Sequence, residues 1–378
     1  MSIYNALRYI GIVTLCATVM ISCDKKATSK YEISGKLENL TGNYFLMSHE
    51  VGDSVVIDTI PINAKGEFSF KGAVDTLTEM SLYFNQNTKS TYILVNKGWD
   101  IELKGDALYP DLINVKGGDV NDDLTTFKNQ NKELLKNRAD ILIAADRKNS
   151  DNNDTLKVKD YVVELKNINF ELSNTAANYI KTNPEKIASV MLINTFFKDE
   201  SSIPRLDENL ALLKGKAVDF QLTADLKQFR DKVKRSSVGA IAPVFNLKDV
   251  NGKNVQLSDF KGKYVLLTFA STTCEVCKLE KKDAVKVYNE LKKQKKNIEF
   301  ISIIKDIEDE PISKGFTDSV KWTIIPVKGG WSAKEFDTYY IREIPYNVLI
   351  SPSGNITDRD FPVTALIKKM DELVDSRK

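Results

Sequence analysis

Histidine and cysteine are nearly missing from this chain, and their scarcity excludes whole classes of chemistry. One histidine, His49, and four cysteines, Cys16, Cys23, Cys274 and Cys277, stand in 378 residues. Only Cys274 and Cys277 are close in sequence, and His49 lies more than two hundred residues from them. A zinc site built on that pair would lack its second half, so no metal is expected. An excess of one charge is missing too: 54 basic side chains against 52 acidic ones leave a net charge of +2. That balance calls for no nucleic acid, and the basic run from Lys292 to Lys296 reads as a solvated helix end.

A long apolar run is also lacking, since the segment from Tyr9 to Ile21 is too short for a comfortable membrane span. With Arg8 ahead of it, the segment has the charged-then-apolar layout of a secretion signal. Ser22-Cys23-Asp24 at its end resembles a bacterial lipoprotein cleavage site. That resemblance implies a signal peptide over 1–22 and Cys23 as the lipidated first residue of the mature chain. Met20 and Ile21 depart from the usual pattern, and an ordinary signal or a short anchor are the alternatives. With Cys16 removed and Cys23 lipidated, only Cys274 and Cys277 remain as thiols. An exported chain with one close pair and no spare thiol fits a redox protein, because stray thiols mispair in an oxidising compartment.

What is present around that pair is a change of period. Tyr264 to Ala270 is a nearly continuous apolar run, as in a strand covered on both faces. After it, apolar residues fall at Val276, Leu279, Ala284, Val287, Tyr288 and Leu291, a helical spacing. The cysteines therefore sit in the first turn of a helix that follows a central strand. Unpaired backbone N–H groups at a helix start carry partial positive charge and stabilise a thiolate, lowering its pKa from about 8.5 toward ~3.5–7.5. Cys274 is the candidate nucleophile. Cys277, one turn on, is near enough to close a small disulfide ring and release a mixed-disulfide partner. A purely structural disulfide is the plain alternative, and so short a loop gains little from one.

Three further regions complete the reading. Residues 31–118 present short alternating strands divided by Gly, Asn and Asp turns, an all-β sandwich-like module with no titratable constellation. His49 reads as a surface residue in a turn. Residues 119–236 read as a helical connector, with Asn121-Asp-Asp as N-cap of its first helix, a loop over 149–154, and Asn183-Pro184 starting a later helix. Residues 237–378 hold the Cys pair, an Asn-Gly hairpin at Asn251-Gly252, a second central strand from Asn297, an edge strand at Thr323, a hairpin through Tyr346 and Ile356, and a closing helix, which together make an α/β domain.

This last region resembles the TlpA/ResA-like branch of the thioredoxin superfamily, membrane-tethered thiol-disulfide oxidoreductases of bacterial envelopes. The matching stretches are Ala242-Pro-Val-Phe, Gly252 to Gly262 with Leu257-Ser-Asp-Phe, the Cys274/Cys277 pair, and Ile344-Pro345. The three-part layout is similar to Bacteroidetes lipoproteins with a β-rich N-terminal domain. The resemblance implies a thioredoxin-like fold, a redox-active Cys274–Cys277 disulfide in place of any cofactor, and a cis Pro345. It also implies that the backbone before Pro345, at Ile344, pairs with a substrate strand. Glu280 matches an acidic residue thought to tune the cysteines, and from spacing it lies one turn after Cys277, where a carboxyl can shuttle a proton; a solvated Glu is the bland alternative. Thr273 and Val276 stand where the family usually has Trp and Pro, and Glu275 puts a negative charge between the sulfurs. All three are expected to tune the redox poise, toward a reductase or isomerase rather than a strong oxidant.

The function so implied is an envelope enzyme acting on disulfides of exported proteins, regenerated by a membrane thiol donor and held to the membrane by lipid on Cys23. Two readings compete. A thiol peroxidase of peroxiredoxin type would use Ser271, three residues before Cys274, though the upstream proline of that pattern is absent and Leu267 stands nearby. A partner-binding lipoprotein with a redox-inactive thioredoxin domain would place the function in the β module. A copper carrier needs a histidine downstream of the cysteines, and none follows His49.

Overall fold

A computed structural model describes residues 30–52, 54–86, 88–149, 155–305, 317 and 320–375. The expected signal peptide with Cys16, the lipidation residue Cys23, and the Asn/Asp-rich stretch 150–154 lie outside the described residues. The chain forms two compact units: residues up to Phe197 with Glu208–Thr223, and Lys198–Asp207 with Ala224 onward. The helices between the β module and the redox region are thus shared between two units and make no third body of their own.

The first unit contains strands β1 (Lys30–Glu38), β2 (Tyr44–Val51), β3 (Ser54–Pro61), β4 (Glu67–Ala73), β5 (Thr78–Phe84), β6 (Lys89–Val95), β7 (Asp100–Asp106) and β8 (Asn114–Lys116). They pair as two four-stranded sheets, β4-β1-β7-β8 and β3-β2-β5-β6. Alternate side chains of both sheets, among them Ile33, Phe45, Met80, Leu82, Phe84, Ile93, Ile101 and Leu103, meet in one buried core. Gly35 lets β1 lie close against β7, because a Cβ there would sit 2.4 Å from the Leu103 carbonyl oxygen. His49 belongs to β2 rather than to a turn; it is half-buried, and among the described residues its Nδ1 has no hydrogen-bond partner. Alternating Phe45 and Met47 carry the strand past it.

Helices α1 (Asp119–Gln130), α2 (Lys132–Asn149), α3 (Thr155–Thr182) and α4 (Ile187–Phe197) follow, then α5 (Ile203–Leu212), α6 (Lys216–Asp219) and α7 (Gln221–Arg235). The N-cap of α1 is Gly118, not the Asn121-Asp-Asp run. Asn121 lies inside the helix and is 2% exposed. Its Oδ1 accepts from the Leu94 N–H at 3.0 Å and its Nδ2 donates to the Leu94 carbonyl at 2.7 Å. One turn on, the Thr125 hydroxyl accepts from the Val115 N–H at 3.0 Å and donates to its carbonyl at 2.7 Å. Leu94 and Val115 belong to β6 and β8, each the last strand of its sheet, so one face of α1 satisfies an open edge of both sheets. Pro184 sits in the turn after α3, and α4 begins three residues later at Ile187. Asn183 ends α3 by donating its backbone and side-chain N–H to the Tyr179 carbonyl, and a residue before proline leaves the helical region readily.

The second unit adds β9 (Asn246–Lys248), β10 (Asn254–Gln256), β11 (Tyr264–Ala270), α8 (Glu275–Lys293), β12 (Ile298–Lys305), β13 (Thr323–Val327), α9 (Lys334–Thr338), β14 (Tyr346–Ile350), β15 (Ile356–Arg359) and α10 (Leu366–Asp375). β9 and β10 form the hairpin expected at Asn251-Gly252. The main sheet runs β13-β12-β11-β14-β15, its first three strands parallel and the others antiparallel. Tyr264 and Leu266 of β11 pack with Ala284, Val287 and Leu291 of α8, while Val265, Leu267 and Phe269 pack with Phe336 and Tyr339 on the opposite face. Burial on both faces explains the unbroken apolar run. Arg359 binds the segment after α7 to this sheet: its guanidinium donates to the Ser236 carbonyl, to the Ser236 hydroxyl at 2.9 Å, to the Tyr339 carbonyl at 3.2 Å and to the Tyr346 hydroxyl at 2.7 Å. The result is a rigid sheet whose central strand ends at the start of α8.

Candidate active site

The site is built where β11 gives way to α8. Ala270 closes the strand, and the next residues turn the chain: the Cys274 N–H donates to the Ser271 carbonyl at 3.4 Å, and the Ser271 and Thr273 hydroxyls bond at 3.0 Å. Cys274 is the N-cap of α8, and its sulfur accepts the Cys277 N–H at 3.1 Å. This is the unpaired donor of a helix start directed at a sulfur, the arrangement that favours a thiolate at Cys274. The two sulfurs are joined in a disulfide with the Cα atoms 5.2 Å apart. Cys277 is 4% exposed and Cys274 half-buried, so an attacking partner reaches Cys274 first.

The loop before β14 faces the same sulfur. Ile344-Pro345 is a cis peptide, and the Ile344 carbonyl oxygen lies 4.0 Å from Cys274 Sγ. Val276 and Leu279 on the first turns of α8 are 60% and 61% exposed, an apolar skirt next to Cys274. Glu275 is exposed and ion-paired with Lys278 at 2.6 Å. That pairing sets a positive charge against the negative one that the sequence places between the two cysteines. Thr273 and Val276 are exposed, and Ser271 is buried with its hydroxyl engaged by Thr273.

Glu280 lies behind the pair. Its Oε1 accepts from Asn347 Nδ2 at 2.5 Å and from the Val363 N–H at 3.1 Å. Asn347 also donates to the Phe361 carbonyl at 2.9 Å and accepts from the Thr268 hydroxyl at 2.7 Å. Cys277, Glu280, Pro345 and Asn347 line one cavity of about 30 Å³, room for a single water molecule. Lys281 shares its wall, and burial holds its ammonium below the ordinary lysine range.

Cys274, Cys277, Glu280, Ile344 and Pro345 therefore converge, with Thr273, Glu275 and Val276 at the rim. Asn347 and Thr268 were not expected from sequence. Asn347 had one visible signal, a lone amide inside the apolar run from Tyr346 to Ile350. Among the described residues no group of three or more His, Cys, Asp or Glu side chains is placed to hold a metal ion.

Comparison with known proteins bears on this site. Residues 238–359 match the family model described as AhpC/TSA family, and residues 31–124 match one described as Domain of unknown function (DUF4369). The thiol-disulfide oxidoreductase ResA of Bacillus subtilis is 32% identical over 120 residues, covering 32% of this chain and 65% of that protein. ResA of Oceanobacillus iheyensis is 32% identical over 154 residues, covering 40% of this chain and 77% of that protein. Among solved structures, a thiol-disulfide oxidoreductase from Bacteroides fragilis is similar at 30% identity over 35% of this chain and 98% of its own, with a TM-score of 0.32.

Proposed function

The chain belongs to the ResA-type thiol-disulfide oxidoreductases, and from that premise we propose that it reduces or isomerises disulfides in exported proteins through Cys274 and Cys277. The observation that carries the reading is the asymmetry of the pair. One sulfur is accessible and receives a backbone N–H at a helix start, and the other is buried beside a carboxylate.

In the reduced enzyme the Cys274 thiolate attacks one sulfur of a substrate disulfide, and the other substrate sulfur leaves as a thiolate that takes up a proton. A mixed disulfide then joins Cys274 to the substrate. Cys277 gives up its proton and attacks Cys274 Sγ, forming the Cys274–Cys277 disulfide and releasing the second substrate thiolate. Two electrons pass from the dithiol to the substrate. Glu280 takes the Cys277 proton through the one-water cavity and returns it to the departing thiolate. The Ile344 backbone, facing Cys274, pairs with the substrate strand, and Val276 with Leu279 covers its apolar side chains. Thr273, Glu275 and Val276 set the poise of the pair.

The short apolar segment and Cys23 support a place in the bacterial cell envelope, lipid-anchored with the soluble units outside the cytoplasm, probed by radiolabelled-lipid incorporation at Cys23. A membrane thiol donor returns the pair to the dithiol. No resident cofactor enters these steps.

Mechanism-based trapping tests the reading. Cys277→Ser should accumulate a mixed disulfide between Cys274 and exported proteins, and Cys274→Ser should abolish it together with insulin-disulfide reduction. Trapping that persists without Cys274, or insulin reduction that survives loss of both thiols, contradicts the assignment. Rapid peroxide consumption by the reduced chain without disulfide reduction would favour the peroxidase instead.

A further inference from the structure

A second cavity lies wholly within the first unit, far in sequence from the redox pair, and its floor breaks a pattern. On β5, Met80, Leu82 and Phe84 face the sandwich core, and the alternating residues Ser81 and Tyr83 face the other way, as a solvent-exposed sheet face would. Tyr92 of β6 shares that outer face. Here, however, α1 and α4 roof it over, leaving a pocket of about 230 Å³ with a polar floor and apolar walls that include Phe127, Leu192 and Phe196. That is somewhat below the ~300–1,000 Å³ of sites for drug-sized ligands, so its occupant is small.

Two donors in this pocket lack a good acceptor. Lys128, on α1 one turn after Leu124, lines the cavity, and among the described residues its ammonium has no hydrogen bond or ion pair. Lys128 is half-buried, and desolvation lowers its pKa against the opposing pull of the Asp111 carboxylate. The Tyr92 hydroxyl stands 3.4 Å from the Thr195 hydroxyl, long for an O–H···O bond, and the Thr195 hydrogen is already given to the Met191 carbonyl at 3.0 Å. Burial pushes the Tyr92 phenol up to about 12, so it remains a donor across the physiological range. Two acids also border the pocket. Asp111 is ion-paired with Arg138 at 3.0 Å, and Glu79 is exposed. Among the described residues the Lys128 ammonium therefore has as counter-charge the Asp111 carboxylate, already shared with Arg138.

We propose that this pocket binds a small organic acid, its carboxylate held by Lys128 and the Tyr92 hydroxyl and its apolar body seated against Phe127, Leu192 and Phe196. An ammonium and a phenol lining one apolar-walled cavity offer a donor to each oxygen of a carboxylate, whereas a neutral ligand leaves the half-buried Lys128 with no more than its share of the Asp111 charge. The site does not depend on the Cys274–Cys277 chemistry, and its loss leaves disulfide reduction intact.

The test is fluorine magnetic resonance of meta-fluorobenzoate and its neutral amide with the full chain. The acid should broaden saturably and bind at least ~10-fold more tightly than the amide, since a hydrogen-bonded charge carries that much discrimination. Lys128→Met should weaken the acid to the level of the amide, while Lys128→Arg retains it within a few-fold. Should the methionine variant fail to fold, Tyr92→Phe, which removes only a hydroxyl, should still weaken the acid several-fold. Equal binding of acid and amide, no saturable binding of either, or full affinity in a folded Lys128→Met chain overturns the proposal.

Discussion

Glu280 shows how much a single carboxylate can be asked to do. Both hydrogen bonds the structure gives it, from Asn347 and Val363, fall on Oε1, and among the described residues Oε2 accepts none. Oε1 is thus fixed by β14 and by the segment after β15, and the glutamate borders the cavity shared with Cys277. Replacing Glu280 by Gln keeps the shape and removes the base. Single-turnover kinetics should then show the Cys277-dependent release slowed by at least ~100-fold, the lower edge of what a positioned acid–base group contributes, with the rate of Cys274 alkylation unchanged. Equal release rates in the two proteins would reduce Glu280 to a strut. The glutamate was legible in the sequence from its spacing after Cys277. Asn347 and Thr268, which orient it, come from strands about 80 residues apart, and no local pattern joins them.

At the scale of elements, α1 is the clearest case of a structure held by its polar residues. Asn121 and Thr125 each pair with both backbone groups of an edge-strand residue, so the helix serves both sheets as an extra neighbour. Asn121→Ala leaves a buried N–H and carbonyl at Leu94 without partners, which costs about 2–6 kcal/mol at ~1–3 per group. Chemical denaturation should show that loss in the transition of the first unit, and a change below ~0.5 kcal/mol would mean water or a repacked helix replaces the amide. Asn and Asp ahead of an apolar run normally signal a cap, which is how this stretch reads before its partners are known. The seven strands from Tyr31 to Asp106 were readable because alternation and turn glycines are local signals. The three-residue β8 was not, since it is a strand only by virtue of pairing with β7. The same limit hid the sharing of the helices between two units: helical periodicity reports which face is apolar, not what covers it.

Across the whole molecule, the scarcity of thiols and the placement of the pair lead to one account. Each unit carries its own cavity or reactive group, a cysteine pair at a helix start in one and a small pocket lined by Lys128 and Tyr92 in the other. The central claim concerns the first. A threonine before Cys274 and a glutamate after it offer no electropositive stabilisation beyond the helix start, and Lys278 balances Glu275 without adding a net charge. The dithiol should therefore be a reductant or isomerase, not a dedicated oxidant. The measurement that tests this most directly is the reduction potential of Cys274/Cys277, obtained by equilibrating the protein against defined dithiothreitol ratios and counting free thiols. The account predicts a reversible two-electron transition near the thioredoxin value of about −270 mV. A value near −120 mV, at the strong-oxidant end, or no reversible transition at all, would contradict it.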